Sequence, residues 1–253
     1  MSKVMIVIFE NMDYGQVNEL PFFKKLATEG ALFTNFHGET HPSQPNYIAL
    51  VSGSQNGVST NDKVDLDAPS IADLLESEGK TWKVYAESYP GDCFSGQSFG
   101  TYVRRHNPFI SFKNIQNNSV RCARIVNASA LTSDVEQDTM PDYSFYVPDI
   151  NNCGHDTSPA FAEAWYSKTF GPLITDSRFM KGMLLVTTFD ESGPLEPTNH
   201  IYTSFFGSGV RAGSVSSTRY DHYNVLRTIE GGFGLGTLSS QDGSATAIAD
   251  IWQ

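Results

Sequence analysis

The sequence predicts an α/β fold, in which a mostly parallel central sheet is covered by helices on both faces. Short apolar runs alternate with helical patterns along the chain, an order typical of parallel strands joined by helices. Several of these runs, such as 4–9, are continuously apolar, as expected of strands buried on both faces. The predicted strands are 3–9, 81–86, 143–147, 183–189 and 201–206, and the predicted helices are 20–29, 46–51, 71–78, 159–170 and 223–233.

Composition indicates a single globular domain over residues 1–253. The 253 residues are 40% hydrophobic and contain no repeat or low-complexity tract. The formal net charge of −11 argues against nucleic acid or an anionic membrane surface as a partner. No apolar run has membrane-spanning length, so we expect a soluble chain without stable membrane association. The oligomeric state is left open.

The cysteines and glycosylation signals favour a secreted protein whose signal peptide has been removed. Cys93 and Cys122 bracket a loop-like segment, and whether they are bridged is open at this stage. Two Asn-X-Ser acceptor sequences begin at Asn117 and Asn127. The alternative is a cytoplasmic chain with three free thiols.

Acidic side chains follow four of the predicted strands. Open α/β sheets bind ligands beyond the carboxyl ends of their strands, so acids that are distant in sequence can meet there. A single acid in such a place often only starts a turn or caps a helix. Two adjacent pairs favour a shared site. The residues concerned are Glu10 with Asn11, Glu87, Asp149, and Asp190 with Glu191.

The two pairs predict a divalent metal site. Glu10, Asn11, Asp190 and Glu191 would supply only oxygen ligands, which suit calcium, magnesium or manganese better than zinc, although zinc stays possible. Three carboxylates held together repel one another and raise at least one pKa unless a cation compensates.

Ser43 lies where a helix is predicted to begin, and two interpretations compete for it. Serine before Gln44 and Pro45 suits a helix N-cap, with the proline in the first turn. The same place offers free N–H groups and a positive dipole end to an anion, which suits a nucleophile attacking phosphate. His41 and Asn46 crowd the same turn, which capping alone does not explain.

Five motifs in this order resemble the phosphoesterase family, which holds acid phosphatases and bacterial phospholipases C within the alkaline phosphatase superfamily. The resemblance spans roughly residues 4–236. The motifs are Glu10-Asn11 after a strand, Ser-Gln-Pro-Asn-Tyr at 43–47 leading to Val-Ser-Gly at 51–53, Val-Pro-Asp at 147–149 through His155 and Asp156, Thr-Phe-Asp-Glu at 188–191, and His222-Tyr223 before Leu-Arg-Thr-Ile-Glu at 226–230.

The resemblance implies a covalent mechanism. Ser43 would be the nucleophile and Asn46 a contact to a phosphate oxygen. The metal ligands would be Glu10, Asn11, Asp190 and Glu191, and the ion would lower the pKa of the Ser43 hydroxyl.

Other roles follow from the resemblance with alternatives open. His155 is expected to contact phosphate or protonate the leaving group, with Asp156 orienting it or capping the next helix. Asp149 is either a further metal ligand or a support for one. His222 is expected to bind phosphate.

His106 and Glu87 are two further candidates for the site. His106 is expected to shape the leaving-group pocket, the alternative being a basic residue in a solvated loop. Glu87 is a candidate acid at the rim of the site or behind it.

The resulting hypothesis is a metal-dependent phosphomonoesterase of acid phosphatase type that acts on small soluble phosphate esters through a phosphoserine. A phosphodiesterase or phospholipase C is the alternative within the same chemistry. A non-catalytic phosphate- or metal-binding protein is the alternative outside it, and the intact Ser43 and Glu10 argue against that.

Overall fold

The central sheet has nine strands and is parallel except at one strand. The computed structural model describes residues 1–253. The sheet order is β10-β2-β9-β8-β1-β7-β3-β6, with β11 also pairing with β2, and only β9 runs antiparallel to its neighbours. β4 and β5 form a separate hairpin. The strands are β1 Lys3–Phe9, β2 Ala31–His37, β3 Trp82–Ala86, β4 Ser98–Phe99, β5 Tyr102–Val103, β6 Ile125–Asn127, β7 Tyr143–Val147, β8 Met183–Phe189, β9 His200–Gly207, β10 Ser214–Ser216 and β11 Tyr220–Asp221.

Helices surround this sheet, and α2 packs against both β2 and β9. None of the helices combines the length and the apolar composition needed to cross a bilayer. The helices are α1 Tyr14–Val17, α2 Pro21–Glu29, α3 Ser43–Ser52, α4 Ile71–Ser77, α5 Lys113–Gln116, α6 Ser119–Cys122, α7 Ala130–Glu136, α8 Pro159–Phe170, α9 Ser177–Met180, α10 His222–Phe233 and α11 Ser240–Ser244, with 3-10 turns at Arg104–His106, Pro108–Ser111 and Leu173–Thr175.

The predicted α/β class and mostly parallel sheet are confirmed. β1, β7, β8 and α8 have the predicted bounds, and the other predicted elements differ by one to three residues at an end. Every residue of β8 is buried, so both faces of the sheet are covered at its centre. β2 was not predicted, because Thr34 and Asn35 interrupt its apolar run.

The register of β1 and β8 positions the two acidic pairs. The strands are parallel, and Phe9 lies opposite Phe189 at their carboxyl ends. The chain continues side by side from there, and the Asp190 N–H donates to the Phe9 carbonyl over 3.0 Å. Glu10 and Asp190 therefore leave the sheet at the same level.

A disulfide joins Cys93 to Cys122, which settles the pairing that the sequence left open. Cys153 is free and buried. The bridge ties the loop before the β4-β5 hairpin to the end of α6.

Candidate active site

Ser43 is the first residue of α3, and its hydroxyl does not cap that helix. The N-cap position belongs to Pro42, and no side chain caps the helix there. The N-cap interpretation of Ser43 was therefore wrong. The hydroxyl is instead free for contacts outside the helix, and it faces acids that follow β1 and β8.

Three side chains surround the Ser43 hydroxyl. Its Oγ lies 3.0 Å from Glu10 Oε2, 3.0 Å from Glu191 Oε1 and 3.4 Å from Asn11 Oδ1. Ser43 is 1% exposed and Glu10 is fully buried. A hydroxyl with two carboxylates as hydrogen-bond acceptors has two places to which its proton can move.

Asn46 fixes the turn that presents Ser43. Its Oδ1 accepts hydrogen bonds from the N–H groups of Glu39 and Thr40, and its Nδ2 donates to the carbonyls of Thr40 and Pro42. The side chain is fully buried. In this arrangement the Asn46 amide is engaged with the backbone of 39–42, and its predicted contact to phosphate stays a prediction.

Two aromatic side chains that the sequence analysis did not connect to Glu10 lie against its carboxylate. The Tyr47 hydroxyl donates to Glu10 Oε1, and His106 Nε2 lies 3.2 Å from the same oxygen. The two rings are stacked with their centroids 5.3 Å apart. Tyr47 lies four residues after Ser43, a helical spacing that places both side chains on one face of α3, and this signal could have found it.

Burial governs the charges around Glu10. It raises the pKa of Glu10 to about 7, against hydrogen bonds from Tyr47 and Ser43 that lower it. Burial, reinforced by Arg105, lowers the pKa of His106 well below its usual value. His106 is therefore neutral behind the carboxylate, in a buried place and not in a solvated loop.

Asp190 is linked to the residues around Ser43 through Asn11. Its Oδ1 accepts a hydrogen bond of 3.1 Å from the Asn11 N–H, while its buried Oδ2 has no hydrogen-bond partner. Burial and repulsion from Glu10 and Glu191 raise the pKa of Asp190 well above its usual value. Burial also raises the pKa of Glu191.

The four predicted metal ligands lie in one connected set of side chains around Ser43, and their role as ligands stays a prediction. The structure contains no group of three or more His, Cys, Asp or Glu side chains arranged to hold a metal ion. The acids instead close on the Ser43 hydroxyl by direct hydrogen bonds. The unpartnered Asp190 oxygen and the buried, mutually repelling carboxylates are what an added cation would satisfy.

His41 is a further member that the sequence analysis noticed without giving it a role. Its Nδ1 contacts Glu191 Oε2, the oxygen that does not face Ser43. The His41 side chain is 44% exposed, whereas that of Glu191 is 6% exposed. His41 therefore covers the solvent side of the carboxylate.

His155 and Asp156 form a pair beside this group. His155 Nδ1 lies 2.6 Å from Asp156 Oδ1, and its Nε2 lies 3.3 Å from an Arg105 guanidinium nitrogen. The ring centroids of His155 and His106 are 6.0 Å apart. The predicted orienting contact of Asp156 is present. Arg105, which sequence reasoning missed, adds a guanidinium beside His155.

His222 lies behind the end of β8. Its Nε2 is 2.9 Å from the Phe189 carbonyl, so Nε2 carries the proton and donates. Burial lowers its pKa. Its backbone N–H donates to Glu39 Oε1, and the side chain is fully buried. His222 thus contacts the strand that carries Asp190, and its expected phosphate contact stays a prediction.

The Asp149 side chain forms no hydrogen bond or ion pair with Ser43 or with the four predicted metal ligands. Its Oδ1 accepts from the N–H groups of Asn151 and Asn152, and its Oδ2 from the Thr101 hydroxyl. Glu87 accepts the Asp149 N–H over 3.0 Å. These contacts join Asp149 to Glu87 and to none of the four predicted metal ligands, so both alternatives for Asp149 stay predictions.

Sequence comparisons identify relatives over nearly the whole chain. A family model described as the phosphoesterase family matches residues 3–236. A probable acid phosphatase of Kluyveromyces lactis is 33% identical over 98% of this chain and 62% of its own length. An acid phosphatase of Aspergillus fumigatus is 32% identical over 98% of this chain and 58% of its own. A phosphatidylinositol-3-phosphatase of Mycobacterium tuberculosis is 33% identical over 99% of this chain and 83% of its own.

Solved structures share the fold at low identity. A protein of the alkaline phosphatase superfamily from Vibrio parahaemolyticus superposes with a TM-score of 0.68 at 13% identity, over 98% of this chain and 70% of its own. A lipoteichoic acid synthase from Listeria monocytogenes has a TM-score of 0.68 at 12% identity, over 99% of this chain and 76% of its own.

The chain shares its fold with a solved protein of the alkaline phosphatase superfamily. By sequence it belongs to the phosphoesterase family, as the order of its motifs indicated. The chain spans only about three fifths of the length of its fungal relatives.

Proposed function

We propose that this chain hydrolyses phosphate monoesters through a phosphoserine formed on Ser43. The observation that carries the proposal is the Ser43 hydroxyl, held 3.0 Å from carboxylate oxygens of both Glu10 and Glu191. Similar proteins named acid phosphatases support the monoester as the substrate class. Two solvent-exposed carboxylates beside a surface serine would indicate no function. Here the carboxylates of Glu10 and Glu191 are buried, and the chain belongs to a family of phosphoesterases.

The proposal includes a hard divalent cation, calcium, magnesium or manganese, held by Glu10, Asn11, Asp190 and Glu191. When bound, the ion would neutralise phosphoryl charge and lower the pKa of the Ser43 hydroxyl. The chemistry of the donors supports this, since all four offer oxygen and Asp190 Oδ2 lacks a partner.

The residues of the chain divide the reaction between them. Ser43 Oγ forms a bond to phosphorus while the bond from phosphorus to the alcohol oxygen breaks. The Ser43 proton has carboxylate acceptors 3.0 Å away, and His155, oriented by Asp156, supplies a proton to the departing alcohol oxygen. Water then attacks phosphorus while His155 takes one of its protons. The bond from phosphorus to Ser43 Oγ breaks, the carboxylate returns its proton to Oγ, and inorganic phosphate leaves.

The substrate is proposed to be a small soluble ester, and the compartment an oxidising one. The paired Cys93 and Cys122 support secretion, since such bridges persist outside the reducing cytosol.

The decisive experiment compares two aryl esters. Purified protein, stripped with a chelator and resupplied in turn with calcium, magnesium, manganese or zinc, is given p-nitrophenyl phosphate and bis-p-nitrophenyl phosphate. We expect the monoester to be cleaved faster with one of the first three ions. Faster cleavage of the diester would assign the chain to the phosphodiesterase or phospholipase C alternative, and cleavage of neither would overturn the enzyme proposal.

A further inference from the structure

A polar cavity of about 300 Å³ adjoins the Ser43 turn and has no part in the chemistry described above. Eight residues line it, of which only Val103 is apolar. The polar ones include Gln44, Asn61, Lys63, Arg104 and Arg105. Its volume is at the lower end of the range for small-ligand pockets. A lining this polar suits a charged group rather than a hydrocarbon one.

The cavity is fixed to the nucleophile turn through Gln44, the residue after Ser43. The Gln44 N–H donates to Asn61 Oδ1 over 3.0 Å. The Gln44 side-chain amide donates to the carbonyls of Thr60 and Asp62 over 2.9 and 2.7 Å. These hydrogen bonds join Gln44 to the loop 60–63, which forms one wall of the cavity. They fix the position of that wall relative to Ser43.

The cavity also reaches the leaving-group side of the site. Arg105 lines it and at the same time lies 3.3 Å from His155 Nε2. His155 is the residue proposed to protonate the departing alcohol. A ligand in the cavity would therefore belong to the alcohol half of the ester, not to the phosphoryl group under attack.

The charges in the cavity are positive in a chain whose net charge is −11. Arg104 is neutralised, since its guanidinium lies 2.7 Å from Asp65 Oδ1. Lys63 is exposed and forms no ion pair, although its charge acts on Asp65. Arg105 contacts His155, and its charge acts on the buried Glu10. Asp62 is the other acid nearby, and its side chain is turned to the Thr60 hydroxyl. Neither Lys63 nor Arg105 therefore forms an ion pair with a carboxylate.

We propose that this cavity binds a second anionic group on the alcohol half of the substrate, with Lys63 and Arg105 as its cations. The preferred esters would then be those whose alcohol carries a second phosphate. This inference deepens the proposed function and rests on it, because the alcohol side is defined by His155. Lys63 acts on specificity and takes no part in bond cleavage.

The test uses symmetric α,ω-alkanediol bisphosphates of two to six carbons, each beside its monophosphate, because either end of such a bisphosphate is the same substrate. Wild type, Lys63→Met and a control, Lys168→Met, are compared. Lys168 is exposed on α8 and does not line the cavity. p-Nitrophenyl phosphate, whose alcohol half is uncharged, reports the basal reaction.

We expect kcat/KM for the bisphosphate of one chain length to exceed that of its monophosphate by roughly tenfold in wild type, as one well-placed charge contact provides. Lys63→Met should remove most of that preference through KM, while leaving p-nitrophenyl phosphate and the monophosphates unchanged. Raising the salt concentration should reduce the preference in wild type.

Turnover of the monoesters without a preference for any bisphosphate would overturn the cavity inference and leave the proposed function standing. An equal effect of Lys63→Met and Lys168→Met would do the same. If no ester is cleaved, the proposed function fails. Calorimetric titration of butane-1,4-bisphosphonate into wild type and Lys63→Met then decides the cavity, with equal or absent binding counting against it.

Discussion

The Ser43 hydroxyl lies at the same distance, 3.0 Å, from Glu10 Oε2 and Glu191 Oε1, although these acids follow different strands. Adjacent parallel strands β1 and β8 bring the two acids to one level, and the first turn of α3 places the hydroxyl between them. The Ser43 hydroxyl does not cap α3, and its hydrogen-bond partners are groups that can accept its proton.

Ser43→Ala should reduce p-nitrophenyl phosphate hydrolysis by about 10³-fold or more, since removing a nucleophile leaves only binding and electrostatic stabilisation. Ser52→Ala is the matched control, because Ser52 ends the same helix and donates only to backbone carbonyls. Steady-state kinetics would measure the loss, and acid quenching with a radiolabelled phosphate ester would trap the phosphoserine in wild type. Full activity of Ser43→Ala would exclude the covalent step.

A hard cation should stabilise the folded chain, because it relieves repulsion among Glu10, Asp190 and Glu191. At 100 times its Kd an ion adds about 2.7 kcal/mol of stability, which corresponds to roughly 5 to 10 °C in Tm for a chain of this size. Scanning calorimetry with and without calcium, magnesium or manganese would measure the shift.

Asp190→Asn separates binding from general ionic effects. Without ions the variant should be at least as stable as wild type, because one buried carboxylate is gone, yet the ion-induced shift should shrink. Glu29→Gln, an exposed change in α2, should keep the full shift. An equal shift in wild type and Asp190→Asn would remove Asp190 from the ligand set.

The fold could be predicted where burial is uniform along an element. β1, β7 and β8 are buried along their whole length except at Lys3, since both of their faces are covered, and their bounds follow from the sequence. β2 escaped because it carries half-buried Thr34 and Asn35 near an irregularity in its pairing with β9, between Phe33 and Phe36. Pairing that depends on a distant antiparallel partner leaves little local signal.

The acidic residues of the candidate site could be predicted from the sequence, whereas most of the residues that contact them could not. The pairs at Glu10 and Asp190 follow strands, and parallel pairing brings such ends together. Tyr47, His41 and Arg105 contact these residues only through the tertiary fold, and their types alone point to no partner. The hydrogen bonds of the Asn46 amide to the backbone of 39–42 could not be predicted either, since they depend on the conformation of that turn.

Asn46→Ala should destabilise the chain by about 2 kcal/mol, because it leaves part-buried backbone groups of Glu39, Thr40 and Pro42 without partners. The kcat/KM for monoesters should fall as well, because the turn that carries Ser43 loosens. Urea unfolding and kinetics on the same samples would measure both effects. Asn114→Ala, which removes an exposed amide on α5, serves as the control. Normal stability with reduced activity would instead favour a direct phosphate contact.

Glu230 and Asp242 form a buried acid pair, and Glu230 should make the free energy of unfolding fall as pH rises. Burial, followed by the neighbouring Asp242, raises the pKa of Glu230 to about 8. Asp242 stays ionised, because hydrogen bonds from the N–H groups of Leu238 and Ser239 outweigh its burial and lower its pKa.

The direction of this pH dependence follows from the number of protons that the folded and unfolded chains bind at Glu230. Glu230 is protonated in the folded chain up to about pH 8, whereas in the unfolded chain it ionises near its usual value of 4.5. Between these values folding takes up a proton, so the contribution is fully present below about pH 4.5 and is lost as pH rises toward 8.

Glu230→Gln should remove that loss, since the amide stays neutral at every pH. Relative to wild type, the free energy of unfolding of the variant should improve by up to about 1 kcal/mol per pH unit between pH 5 and 8. Urea unfolding at pH 5, 6, 7 and 8 would measure it, with Glu29→Gln as an exposed control. Parallel pH profiles for Glu230→Gln and wild type would show that Glu230 is ionised in the folded chain across this range.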